Sequence, residues 1–252
     1  MTNRYLFAAA AAAACATAAP AMAQQDWTGF YVGLNGGASW GDTKLNLQVG
    51  AGNGPLAVPP TDVGAINQVG SDDDNKTSFT GGIQAGYNYQ SGSWLFGLET
   101  DFGFFDISQR RTNVYASRVL ISPPIAYALD QRVKTDWIWT LRPRLGYASD
   151  QWMGYITGGI ATSKTKLETR FADSRSPQNV AQLDKDDTDT GWVGGLGGAY
   201  AFAPNMSVRG EWLYVDFGNI HKTVTGPNNF VTITPEASVK GNIFRVGVDY
   251  KF

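Results

Sequence analysis

Residues 244–252 read FRVGVDYKF, and the pattern of this stretch decides the fold class. Phe244, Val246, Val248, Tyr250 and Phe252 fall on one face of an extended strand, and Arg245, Gly247, Asp249 and Lys251 on the other. Side chains alternate between the two faces of a strand at a period of two. The residues at the end of a soluble domain usually fray into polar coil; these predict a two-faced strand that closes something.

The same alternation recurs upstream. It predicts strands over 27–40, 77–89, 94–105, 133–148, 152–162, 188–202, 206–218 and 238–252. No window shows a convincing helical period, and beyond the N-terminal segment no apolar run is long enough for a membrane helix. The connections alternate in length. QSGS (90–93), SDQ (149–151) and APN (203–205) are tight, whereas 41–76, 106–132, 163–187 and 219–237 are long. In an up-and-down sheet all the long connections then lie at one end. Such loops would count against the strand assignment in a compact soluble domain. They fit an outer-membrane barrel with short periplasmic turns and long extracellular loops. The expected fold is all-β: an eight-stranded antiparallel up-and-down transmembrane β-barrel over 24–252, with four long extracellular loops.

Residue chemistry on each phase says which face meets lipid. One phase carries Phe30, Val32, Leu34, Trp40, Phe79, Ile83, Trp94, Phe96, Trp137, Trp139, Trp192 and Trp212. Many of its Trp and Tyr residues lie near strand ends, as interfacial girdles do. An eight-stranded lumen is only just wide enough for side chains to fill it, so the rings belong outside. The fifth strand, WMGYITGGIAT (152–162), is apolar on both phases and takes no orientation from its sequence.

The inner phase holds Glu99, Asp101, Glu211 and Asp249 with Arg142, Arg144, Arg209 and Arg245. The set is balanced, and every cation in it is Arg, which pairs carboxylates bidentately in confined sites. A conducting pore lined by a charge ring and a crosslinked polar plug are the two alternatives. Balance and barrel size favour the plug, because unpaired confined charge is costly.

The N-terminal MTNRYLFAAAAAAACATAAPAMAQQ has a cationic start at Arg4, an Ala-rich apolar run and Ala21-Met22-Ala23. This is the layout of a secretory signal peptide, residues 1–23. Cleavage would remove Cys15, the one cysteine, and with Arg4 shift the formal charge from −2 to −3. That leaves neither a disulfide framework nor a Cys/His zinc site, and the charge argues against a nucleic-acid partner.

Enzymatic chemistry finds little support. A Ser/His/acid triad needs a histidine, and the chain offers only His221, in the last long connection. Asp184, Asp186 and Thr188 match the first alternating positions of a calcium loop, but Asp189 and Gly195 stand where that motif requires Gly and Glu. The glycines of GWVGGLGG (191–198) sit in a strand and not before a helix, so they form no nucleotide loop and instead leave room for long side chains opposite. No catalytic residue, metal site or cofactor is expected.

Several stretches resemble the small outer-membrane β-barrel family of alphaproteobacteria, described as surface antigens, porin-like proteins and hemin-binding proteins. They are DWTGFYVGLNGGASWG (26–41), GGIQAGYNYQ (81–90), WLFGLETDF (94–102), RLGYASDQWMGYITGGIA (144–161), RGEWLYVDFG (209–218) and FRVGVDYKF (244–252). The resemblance implies a place in the cell outer membrane among its lipids and lipopolysaccharide, insertion by the barrel-assembly machinery, and a non-enzymatic role in envelope integrity. It also implies surface contacts through the loops, with host or surface partners open. Tyr250 and Phe252 resemble the assembly signal of such barrels. A narrow porin or a hemin binder using His221 and Tyr115 is the alternative, and a lipid-modifying enzyme a remote one. Where the family usually has Gly between the two arginines of the fourth strand, this chain has Pro143. Proline removes a ladder donor, so a bulge is expected there.

Overall fold

The computed structural model describes residues 25–51, 58, 60–70, 72–116, 126–174, 180–221, 223–225 and 231–252. The expected signal segment lies outside them. Seven long strands follow in order: β1 (Gly29–Ala51), β2 (Asp72–Ser91), β3 (Trp94–Ala116), β4 (Ala126–Ser149), β5 (Trp152–Asp173), β6 (Val180–Ala203) and β7 (Met206–His221). The short β8 (Val224–Thr225) and the long β9 (Val231–Lys251) complete the sheet. Each strand pairs antiparallel with its neighbour, and β9 returns to pair with β1 from Tyr31↔Lys251 to Ala51↔Val231. β8 carries on β7's register against β9, with His221 opposite Glu236 and Val224 opposite Ile233. The result is a closed eight-stranded barrel with two-residue turns at 92–93, 150–151 and 204–205 at one end. Closure satisfies every strand edge, the condition for a sheet in lipid.

The outward face is the aromatic one. Phe30, Leu34, Phe79, Ile83, Trp94, Phe96, Trp192, Leu196 and Phe244 are exposed, with Phe79 reaching 78%. β5 takes its orientation here: Trp152, Ile156 and Ile160 point outward, Met153, Tyr155 and Ala161 inward.

Three expectations are corrected. The strands run well past their sequence-based ends, β3 to Ala116 and not 105, β5 to Asp173 and not 162, while β1 starts at Gly29 and not at 27. Beyond the membrane the outward face meets polar surroundings while the inward face still buries Tyr127, Leu129 and Phe171, so pairing continues where the outward alternation fades. A helix, α1 (Pro60–Gly70), occupies the first long connection. Pro60 at its first position supplies a pre-set φ and Asp62 an acid in the first turn, but so short a helix leaves little periodicity to read. It packs on β1 and β3, with Val58, Ile66 and Val49 buried, and Asn67 accepts from the Val49 N–H at 2.7 Å. Finally, no bulge marks Pro143. Leu98 lies opposite Pro143 in an unbroken β3 register, and the β5 register resumes unchanged from Leu141↔Ile160 to Arg144↔Thr157. The missing donor interrupts the β5 ladder locally, while Thr157 Oγ1 donates to the Pro143 carbonyl at 2.9 Å. The register shifts occur elsewhere, between Phe104 and Ile107, Thr135 and Ile138, Ala201 and Ala203, and Asp216 and Asn219.

Candidate functional site

All eight inward charged residues meet in one layer across the lumen. Two pairs follow directly from register, Glu99 opposite Arg142 on β3–β4 and Glu211 opposite Arg245 on β7–β9. The others run diagonally between neighbouring strands or, as Arg142–Glu211, Arg209–Glu99 and Arg245–Asp101 do, span the barrel. Arg142 donates from Nη2 to Glu99 Oε1 at 2.6 Å and Asp101 Oδ2 at 2.7 Å, and from Nη1 to Glu211 Oε1 at 3.1 Å. Arg209 on β7 reaches Glu99 Oε2 at 2.5 Å and lies 3.5 Å from Asp249. Arg245 bridges Glu211, at 2.8 Å from Nε, and Asp101, at 3.1 Å from Nη1. Arg144 donates to Glu99 Oε2. Arg142, at 0% exposure, is the hub.

Neutral groups complete the layer. Tyr31 Oη donates to Glu99 at 2.7 Å, Tyr155 Oη to Glu211 at 3.2 Å, Thr140 Oγ1 to Asp101 at 2.5 Å and Gln84 Nε2 to Asp249 at 2.7 Å. The Arg144 guanidinium lies 4.9 Å from the ring centroids of both Tyr31 and Tyr155, a cation–π geometry. The tyrosines lie flat because the wall beneath them is glycine. A Cβ on Gly86 would come within 2.2 Å of Tyr31 Oη, and one on Gly197 within 2.5 Å of Tyr155 Cζ. Gly86 of GGIQAGYNYQ and Gly197 of GWVGGLGG are therefore the seats for the two tyrosines.

Two apolar layers enclose the ionic one, and sequence reasoning missed both. Toward the long-connection end lie Ile138, Ala161, Val193, Leu213, Val215, Phe217 and Ile243. Toward the short-turn end lie Leu95, Ala148, Met153, Tyr155, Ala199 and Ala201 around Trp27. Trp27 precedes β1 and is carried into the lumen by residues 25–28, which cross the short-turn end of the barrel. The Trp27 N–H donates to Gln90 Oε1 at 2.9 Å, the Gln25 N–H to the Asp150 carbonyl at 3.3 Å and Gln25 Nε2 to the Pro204 carbonyl at 3.0 Å. Lys251 Nζ donates to the Asp26 carbonyl. This segment thus ties all three short turns and the end of β9 together. The Thr28 N–H, 2.8 Å from Asp26 Oδ1, holds that carboxyl below its ordinary range. A signal for the apolar layers was available: stretches such as WLYV (212–215) are apolar on both phases.

His221 ends β7 opposite Glu236, and Tyr115 lies on β3 opposite Tyr127. Their side chains lie outside the described residues, and the strand order sets β3 and β7 on opposite walls. Asp184 and Asp186 lie in extended β6, opposite Glu168 and Lys166, so the backbone forms no calcium-type loop there. Tyr250 and Phe252 point outward, their rings 5.3 Å apart and near perpendicular.

Residues 7–252 match the family model described as the outer membrane protein beta-barrel domain. The chain is 34% identical to a 31 kDa outer-membrane immunogenic protein of Brucella melitensis over 93% of this chain and 88% of that one. It is 25% identical to a 22 kDa outer membrane protein of Rhizobium leguminosarum over 79% and 68%. Among solved structures it is similar to the outer membrane protein OprG of Pseudomonas aeruginosa, with a TM-score of 0.43 at 11% identity over 91% and 99% of the two chains. An inward ionic layer, an outward aromatic face, closure of β9 on β1, the family match over 7–252 and the Brucella relative agree: the chain belongs to the outer-membrane β-barrel family and resides in the outer membrane.

Proposed function

We propose that this protein is a structural, non-enzymatic element of the outer membrane whose lumen is closed and whose long connections present a surface to the outside. The observation that carries this is the position of the ionic layer between two apolar ones. A water-filled pore needs a continuous polar path, and the Ile138–Ile243 and Trp27–Ala201 clusters interrupt it on either side. The charges also answer one another, leaving no single-sign field to select ions. The Brucella relatives are named as immunogenic outer-membrane proteins, which supports surface presentation. Purified protein in planar bilayers is expected to give no stepwise current; large ion-selective steps would overturn the closed lumen. A deletion strain is expected to gain detergent sensitivity, and wild-type resistance would remove the envelope role.

Insertion by the barrel-assembly machinery is part of the same proposal. Phe252 is 71% exposed, so its ring contributes little to the folded barrel. Phe252→Ala is expected to lower outer-membrane levels severalfold while the purified, refolded variant unfolds within about 0.5 kcal/mol of wild type, as surface substitutions do. Normal membrane levels would count against a recognition role.

A further inference from the structure

We propose that residues 25–29 are a latch, which crosses the short-turn end of the barrel after β9 has paired with β1 and then sets how slowly the barrel opens. Gly29 is its hinge and Trp27 its anchor.

The hinge is a backbone feature. Gly29 opens β1 with a φ of 139°, a conformation that L side chains rarely adopt. On its C-terminal side the chain runs in the wall of the barrel, and on its N-terminal side it turns across the mouth. A Cβ at Gly29 would also lie 3.4 Å from the Phe252 carbonyl oxygen, at the end of the closing strand. Beyond the hinge every tie is long-range. Gln25 Nε2 donates to the Pro204 carbonyl across 179 residues of sequence, and Lys251 Nζ to the Asp26 carbonyl across 225. The Gln25 N–H reaches the Asp150 carbonyl, the Trp27 N–H reaches Gln90 Oε1, and the Gln90 N–H donates to Thr28 Oγ1 at 3.1 Å. Trp27 joins an apolar cluster supplied by Leu95 on β3, Ala148 on β4, Met153 on β5 and Ala199 on β6. β1 itself pairs with β2 and β9, so the ring seats among strands that its own strand does not adjoin.

These separations order the events. A tie that spans 62 to 225 residues carries the entropy of closing that loop unless the strands between are already in place. The three short turns and the end of β9 stand round one mouth in the closed barrel and not before. The strap therefore has no complete seat until β1 and β9 have met, and it docks after the step that limits folding. Interactions absent from the folding transition state slow unfolding and leave the folding rate alone. The strap continues β1 and is tied both to β9 and to the turn that precedes β7. Parting β1 from β9 thus first has to free Asp26 from Lys251 and draw the Trp27 ring out of its apolar seat.

The test is the folding and unfolding kinetics of the barrel in phosphatidylcholine vesicles. Gly29→Ala is expected to unfold in urea about tenfold faster than wild type, because alanine strains the hinge. Trp27→Ala is expected to unfold roughly a hundredfold faster or more, because its large apolar seat is emptied. Both should fold within about twofold of the wild-type rate, the split that distinguishes a latch from a general loss of stability. In a variant that retains Trp27 alone, its fluorescence should shift to the blue in a phase later than the rise of the sheet signal in circular dichroism. Folding slowed as much as unfolding is accelerated, or Trp27 buried in step with the sheet, would place the strap in the folding nucleus and overturn the latch. An unchanged unfolding rate in Gly29→Ala would overturn it as well. So would a Trp27→Ala chain that never forms the barrel, since a latch is not needed to reach the closed state.

Discussion

Glu99→Gln is expected to destabilise the folded barrel by about 3–5 kcal/mol, the loss typical when one partner of a buried charge set is removed. Glu99 receives Arg142, Arg144 and Arg209 at once, together with the Tyr31 hydroxyl. Glutamine keeps the volume and an acceptor for Tyr31, so the loss is electrostatic. It leaves four cations facing three acids in a layer that the apolar clusters separate from both mouths. Unfolding in urea from vesicles measures it, as a midpoint lower by roughly 1–3 M. Arg209→Gln added to Glu99→Gln is expected to recover part of the loss, with a coupling of about 0.5–3 kcal/mol, because the double variant is again balanced. Stability within about 1 kcal/mol of wild type would show that Glu99 does not carry the charges around it. The same variant in planar bilayers should still pass no current, since the apolar layers remain.

The outer face of this barrel was legible because lipid leaves no freedom there: each outward residue between the girdles must be apolar, and FRVGVDYKF already states the rule. The eight charged residues were legible for the complementary reason, being polar on the phase that lipid does not touch. Strand length was not. Past Thr162 and before Thr188 the outward phase turns polar and loses its contrast with the inward one, yet Lys166 still pairs with Asp186 and Glu168 with Asp184; alternation reports the membrane slab, and pairing outlasts it. The apolar layers were hidden by the same habit of sorting phases by polarity. Leu213 and Val215 lie inward beside the outward Trp212 and Tyr214, so the local pattern loses its contrast where the lumen is driest. β5, unreadable for that reason, supplies Met153 and Tyr155 to one apolar layer and Ala161 to the other.

Trp27 shows most clearly what a strand pattern cannot reveal. The chain has eight tryptophans, and Trp27 is the one whose side chain lies inside the barrel, at 5% exposure. Its position follows from tertiary ties that no local period records, since Gln25, Trp27 and Thr28 are held by the turns that join β2 to β3, β4 to β5 and β6 to β7. Trp27→Ala is expected to cost about 3–5 kcal/mol, the range for emptying a large aromatic site. It would also open, from the short-turn end, a cavity of about 30 Å³ lined by Tyr31, Asn88, Arg144 and Asp249, so that water reaches the adjacent edge of the ionic layer. The expected result is a lower urea midpoint without a current, because the Ile138–Ile243 layer still closes the other side. Brominated lipids give a second readout: they should quench the outward tryptophans such as Trp94, Trp152 and Trp192 and spare Trp27 in a variant where it alone is retained. Strong quenching of Trp27, or an unchanged midpoint in Trp27→Ala, would mean that the segment at 25–28 does not seat its ring in the lumen.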